Sequence, residues 1–285
     1  MSIHRVETYR SPAANLPAFA IAYQPIVNLP SRRVVAYEAL VRGPGGISYP
    51  QLIAGMNART LRSFHRHTAE EAIRCAVALG LAKRKASLTV NLQPDLDPDA
   101  VNAEFLRAAA IRHGLPIDRI VVELTEDHKL TLLQVHEILN RNKAAGFASA
   151  MDDFGAGYSG LTSLVECRPE ILKLDRALVS AIDRHQIKQK IVGAFVRVCN
   201  SLQMMLIAEG VETLEECRML RRLGVKIMQG YLFSRPVIAE LPRFEQCKPM
   251  RALRNFGRRN SQADSGLHVI AWNAAGVALP QAKTA

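Results

Sequence analysis

From residue 21 to about residue 240 the chain repeats one pattern. A short apolar run closes on a polar or charged residue, and a longer segment with helical spacing follows. The short runs are 21–27, 34–41, 88–91, 120–123, 148–152, 171–175, 205–209 and 225–229. Between most of them lie segments with apolar residues every three or four positions, at 68–81, 99–113, 131–145, 187–202 and 214–223, which predicts helices. Gly80, Gly114, Gly146 and Gly224 fall at or just past their ends, where a helix termination favours glycine. Strands alternating with helices predict a mostly parallel sheet. Eight such runs match a (β/α)8 barrel better than two Rossmann halves.

The turn Pro30-Ser31-Arg32-Arg33 between the first two runs predicts a hairpin, so one strand runs against the rest. The expected fold is therefore α/β, a modified TIM (β/α)8 barrel with one antiparallel strand, over residues 20–247. Residues 1–19 read as an irregular N-terminal segment. Residues 248–285 leave the pattern: Arg251, Arg254, Arg258 and Arg259 cluster ahead of a Gly/Ala/Ser/Gln-containing stretch. That composition predicts a basic, flexible tail.

The polar residues that close the strands carry the candidate chemistry. They are Glu38, Asn91, Glu123, Asp152, Lys173, Glu209 and Gln229. In a barrel the C-terminal strand ends share one mouth, so all of these converge there. Carboxylates concentrated in this way repel each other unless cations or shared protons relieve them. Asp, Glu and Asn oxygens suit Mg²⁺ or Mn²⁺, and no histidine joins them to suggest zinc. Two such ions about 3.5–4 Å apart can clamp an in-line phosphoryl displacement, and the adjacent Asp152 and Asp153 suit dividing or bridging the pair.

Two other motifs compete for attention. Gly155-Ala-Gly157-Tyr-Ser-Gly160 satisfies the dinucleotide pattern G-x-G-x-x-G, with Asp175 following. The two carboxylates just before it would repel a pyrophosphate, which argues against that reading. His65-Arg-His67 resembles a metal-binding HxH, but it falls at the start of a helical segment with no histidine at any strand end. It reads as a pair of surface histidines.

Composition narrows the class. The 285 residues are 48% hydrophobic and 22% charged, with a formal net charge of +11. The positive balance suits an anionic ligand or surface, but the few aromatics are not interleaved with basic residues, so no nucleic-acid polymer is expected. Cys75, Cys167, Cys199, Cys217 and Cys247 are dispersed and odd in number, a pattern of reduced thiols in a cytoplasmic protein. The start of the chain has no apolar signal core. No run reaches the ~20 apolar residues of a membrane span.

Taken together the motifs resemble the EAL-domain cyclic di-GMP phosphodiesterases. Tyr37-Glu38-Ala39-Leu40-Val41-Arg42 is similar to the family's signature. In the family's order follow Tyr23-Gln24-Pro25-Ile26, Val90-Asn91, Glu123-Leu-Thr-Glu126, Asp152-Asp-Phe-Gly-Ala-Gly-Tyr-Ser159, Lys173-Leu-Asp175, Glu209-Gly-Val-Glu212, Gln229-Gly-Tyr and Ser234-Arg-Pro236. The resemblance covers about residues 20–240. It implies a barrel whose first strand is antiparallel, hydrolysing cyclic di-GMP to linear pGpG with two Mg²⁺ or Mn²⁺ ions.

By position, the resemblance makes Glu38, Asn91, Glu123, Asp152, Asp153 and Glu209 metal ligands, and Lys173, Glu209 and Glu38 catalytic. It assigns substrate contacts to Gln24, Glu38, Leu40, Arg42, Asp175, Gln229 and Pro236. Glu126 would anchor the loop after Asp153. A homodimer and a regulatory protein partner are the family's expected associations. Two departures are visible: Tyr-Ser-Gly where Tyr-Ser-Ser is commoner, and His65 after Phe64 where an aspartate is frequent. Neither touches a proposed metal ligand. A catalytically inactive cyclic di-GMP receptor and a protein-binding regulator remain the alternatives.

Overall fold

The structure, a computed structural model, describes residues 16–92, 103–125, 130–155, 164 and 166–247. Strands β1 (Ala20–Asn28) and β2 (Arg33–Arg42) form the predicted hairpin. Their antiparallel register runs from Ala20 opposite Arg42 to Asn28 opposite Arg33. The following strands are β3 (Ser87–Leu92), β4 (Ile120–Thr125), β5 (Ala148–Phe154), β6 (Ile171–Leu174), β7 (Met205–Ala208) and β8 (Ile227–Met228). From β2 to β8 each strand is parallel to the next. The barrel closes where β8 meets the far edge of β1, antiparallel, at Val27 and Asn28. Because β8 is so short, the same edge also accepts β9 (Val237–Ile238) beside Ala22 and Tyr23. The first strand is thus the reversed one.

Helices Ala58–Ala78, Ala103–His113, Leu132–Ala145, Gln186–Leu202 and Leu214–Arg222 connect the strands. Four agree with the predicted segments to within a few residues, though residues 99–102 lie outside the described ones. The exception is Ala58–Ala78, which starts ten residues before the predicted 68–81. Its N-terminus is fixed by the Asn57 side chain, which accepts from the Thr60 amide at 2.9 Å. The buried stripe of this helix includes Leu61, Phe64, His65, Thr68, Ala69 and Ala72. His65 and Thr68 stand where the helical period calls for apolar residues, so the pattern is broken in the sequence although the packing is continuous.

Apolar packing falls into two shells outside the barrel and one layer inside. Tyr23, Tyr37, Phe64, Ile73, Leu88 and Val122 belong to the outer group on the β1–β4 side. Phe154, Leu172, Leu174, Val192, Leu220 and Met228 belong to the group on the β5–β8 side. The interior layer is Ile26, Ala36, Val121, Ala150, Ile171, Ile207 and Ile227. No helix among the described residues is long and apolar enough to cross a membrane.

Candidate active site

Side chains alternate faces along a strand, so a residue two places beyond an inward one also points inward. Applied to the interior layer, this rule builds the mouth. Ala36 leads to Glu38, Val121 to Glu123, Ala150 to Asp152, Ile171 to Lys173, Ile207 to Glu209 and Ile227 to Gln229. On the reversed β1 the step runs the other way, from Ile26 back to Gln24, which sits opposite Glu38 in the hairpin. Asn91 completes the tier from β3, in register with Glu123. Each barrel strand or its immediate extension thus contributes one polar side chain to the mouth, above an apolar plug on every strand but β3, where Thr89 takes that place.

Asp153 breaks the rule. As the neighbour of the inward Asp152 it should face away. Instead the β5–β6 register shifts between Met151 and Phe154, and Asp153 takes φ +55°, a left-handed conformation. Its amide donates to Asp152 Oδ1 at 2.9 Å. A bulge of this kind re-aims a side chain, and here it turns both carboxylates the same way. As a result two carboxylate triads overlap, Glu38/Glu123/Asp152 and Asp152/Asp153/Glu209, each with ligand oxygens within 4.8 Å of one another.

Lys173 occupies the centre, fully buried. Its ammonium lies 2.7 Å from Glu209, 2.8 Å from Glu123 and 3.1 Å from Asp152. Burial alone would pull this ammonium down, but Asp152, Glu123, Glu209 and Glu38 together hold its pKa well above the usual lysine value. Burial lifts the Glu123 carboxyl to about 8, against the pull of Lys173 and with help from Glu38 and Asp152. Glu209 is driven well up by burial and by Asp152. Asp153 rises to about 6, through burial and the neighbouring Asp152 and Asp175.

Amides hold the Glu38 side of the mouth. Gln229 Nε2 donates to Glu38 Oε2 at 2.5 Å and lies 3.2 Å from Gln24 Oε1. Asn91 Nδ2 donates to Glu38 Oε1 at 3.3 Å. Gln24 in turn donates to the Ser234 carbonyl at 3.1 Å. Beneath this network Gly230, at φ +156°, lies flat against Val211: a Cβ there would come within 2.1 Å of the Val211 carbonyl oxygen. Val211 also binds the Gln229 carbonyl through its amide at 3.0 Å. Gly230→Ala should therefore push the Glu209 and Gln229 loops apart and cost about 3 kcal/mol or more. An unchanged denaturant midpoint would show that the two loops can separate freely.

The donor set fits divalent cations. Glu123 Oε1 has only the Lys173 ammonium beside it, and Glu123 Oε2 and Gln229 Oε1 are buried with no hydrogen-bond partner. Buried acceptors in that condition are costly, and a hard cation satisfies several at once.

A cavity of about 340 Å³ opens over these residues. Leu40 and Arg42 line its rim, and Arg42 Nη1 donates to the Val41 carbonyl at 2.7 Å. Asp175 and Pro236 are placed differently from the others. The Asp175 carboxylate accepts from the Ala177 amide at 2.7 Å, capping the short helix Arg176–Val179. Pro236 is half-buried just ahead of β9. Glu126 lies outside the described residues, as does the loop that follows Gly155.

The sequence reading overlooked one wall of the cavity, formed by Tyr49, His65 and Thr68. His65 is 8% exposed and its ring bonds to the Tyr49 hydroxyl, so it is not a surface histidine. No signal in a single sequence marks it, because it reaches the mouth from a helix and not from a strand end.

The family model described as "EAL domain" matches residues 11–236. Among solved structures, the cyclic di-GMP-bound form of a standalone EAL protein from Vibrio cholerae O395 is similar, with TM-score 0.73 and 33% identity over 81% of this chain and 96% of that one. The manganese/cyclic di-GMP complex of Klebsiella pneumoniae BlrP1 also has TM-score 0.73, with 35% identity over 83% of this chain and 60% of that one. The blue light- and temperature-regulated antirepressor BluF of Escherichia coli K12 is 30% identical over 225 residues, 78% of this chain and 55% of BluF. The chain spans about half or less of the length of the first curated relatives it matches.

Proposed function

The chain belongs to the EAL domain family of cyclic di-GMP phosphodiesterases, and on that premise we propose that it hydrolyses cyclic di-GMP to linear pGpG using two Mg²⁺ or Mn²⁺ ions. The observation that carries this reading is the bulge at Asp152–Asp153, which makes two carboxylate triads share one aspartate. Glu38, Asn91, Glu123 and Asp152 would hold one ion, and Asp152, Asp153 and Glu209 the other. Bound cations supply an acidified water and a clamp for phosphoryl oxygens. Lys173 keeps its proton and steadies three carboxylates at fixed positions beside the reacting phosphate. Gln229 and Asn91 orient Glu38, while Arg42 and Leu40 on the rim receive a substrate phosphate and base. Gln24, Asp175 and Pro236 complete the proposed substrate contacts, and Glu126 the support of the loop after Asp153. The proposal extends to a cytoplasmic homodimer built on a barrel of residues 20–247.

A second reading, a cyclic di-GMP receptor that signals through a protein partner, takes its support from the similarity to an antirepressor. One assay separates the two. Purified protein is incubated with cyclic di-GMP and Mn²⁺ or Mg²⁺, and pGpG is measured. Nucleotide that binds but yields no product with either metal would leave the receptor reading in place.

Cation affinity should also depend on pH with a defined sign. Burial lifts the Glu123 and Asp153 carboxyls to about 8 and about 6, so each retains a proton to a higher pH than an ordinary carboxyl. Cations need the ionised form, so Mn²⁺ binding should strengthen from pH 6 to 8, by up to about tenfold per unit for each proton displaced. Calorimetry in buffers of different ionisation enthalpy reads the released protons. Affinity that is flat across this range would mean that neither group is a ligand.

A further inference from the structure

A second charged cavity lies away from the mouth, on the outer flank of the barrel. It holds about 440 Å³ between the start of β2, the segment leading into β3 and the turn at Arg243 and Phe244. Arg33 is five residues before Glu38 on β2, about 17 Å at the rise of a strand. Arg32, Arg33, Arg84, Lys85 and Arg243 line this cavity, against one carboxylate, Glu245. Cations gathered at such density repel one another, and an anion relieves them.

The wall is built in advance. Arg84 Nη1 donates to the Tyr37 hydroxyl at 2.8 Å and to the Leu241 carbonyl at 2.9 Å. The Tyr37 hydroxyl donates onward to the Pro242 carbonyl at 2.9 Å. From behind, Arg119 donates to the carbonyls of Arg84 and Ala86, which fixes the backbone that carries Arg84 and Lys85. Among the described residues, Arg32, Arg33, Lys85 and Arg243 have no carboxylate partner in an ion pair.

We propose that this cavity is a second anion site, for a compact ligand with two adjacent phosphates, of the nucleoside diphosphate class. Several guanidinium forks and an ammonium offer more donors than one phosphate can accept, and each fork suits phosphate oxygens. The depression is open to solvent, so a nucleoside attached to the diphosphate would project outward past the basic rim. Tyr37 and Phe244 are buried, at 1% and 5% exposure, so no free ring face reads the base. Adenine and guanine nucleotides should bind alike.

The test is calorimetry on the full chain with inorganic pyrophosphate, ADP and GDP. EDTA is present so that no cation bridges them to the mouth carboxylates. Arg33→Glu/Lys85→Glu changes two exposed side chains and should weaken pyrophosphate binding about thirtyfold or more. Lys143→Glu/Lys190→Glu, the same charge change on distant helices, should alter it by less than about threefold. Equal weakening in both variants would reduce the effect to net charge and overturn the site. Displacement of pyrophosphate by cyclic di-GMP would place it in the mouth and overturn it too, as would undetectable pyrophosphate binding or a strong preference between ADP and GDP. If the reversed variant fails to fold, Arg33→Gln/Lys85→Gln carries the same comparison.

Discussion

Lys173→Met is expected to lower cyclic di-GMP hydrolysis by about 10³-fold or more and to give a protein that depends on divalent cations for its stability. The side chain is fully buried and its ammonium is 2.7–3.1 Å from three carboxylates. Methionine fills similar space, so packing is kept while the charge is lost. Breaking a buried ion pair by removing one partner costs about 3–5 kcal/mol, because the other charge remains. The pH dependence follows from the direction of each shift. Lysine held above its usual pKa stabilises the fold at all pH values below that of the unfolded side chain, so wild type keeps this contribution through pH 5–8. Without it, Glu123 and Glu209 are raised further. Protons are then bound more tightly in the folded state than in the unfolded one, and stability falls as pH rises above about 4.3. The gap between variant and wild type should therefore already be present at pH 5 and be widest near pH 8. Added Mn²⁺ stabilises whichever form binds it, and should raise the melting temperature more in the variant, which lacks the competing ammonium. Thermal unfolding with and without Mn²⁺ reads all of this. A variant with wild-type melting at pH 8, or with wild-type turnover, would remove Lys173 from the centre of the site.

The sequence was legible where the physics has a short period. Each of β2, β4, β5, β6, β7 and β8 has an apolar residue two places before the polar one that faces the mouth, and alternation alone sends both inward. The same rule hid Gln24. On the reversed β1 the mouth receives the start of the strand and not its end, so only the family resemblance reached it. Adjacent carboxylates at 152 and 153 suggested a pair, but alternation would separate them. The bulge that reunites them depends on the backbone of Asp153, which its residue type does not announce. The wall of Tyr49, His65 and Thr68 arrives from a different element with a different period. The basic cavity draws on segments far apart in the chain, at Arg33, Lys85 and Arg243. Contacts of that kind become visible only once the barrel has closed.

Asp152→Asn should separate the roles of the two carboxylate triads more sharply than any other single change. Asp152 is the one residue common to both triads among the described residues. The amide keeps the shape of the side chain and an oxygen that can accept from the Asp153 amide, now 2.9 Å away. It removes one negative charge from both cation positions together, and Lys173 retains Glu123 and Glu209 as partners. Mn²⁺ affinity should fall about 10–100-fold or more at both positions, and turnover by about 10³-fold. Cyclic di-GMP binding through the rim at Leu40 and Arg42 should change far less. Asp153→Asn, which touches one triad only, should weaken one Mn²⁺ and leave the other near wild type. Titration of Mn²⁺ by calorimetry, with nucleotide binding measured in parallel in Ca²⁺ or EDTA, distinguishes the two variants. Two undiminished Mn²⁺ sites in Asp152→Asn would mean that Asp152 is not a shared ligand, and the assignment of the two ions to these overlapping triads would fall with it. Loss of one site in each variant would make Asp152 and Asp153 ligands of the same single ion.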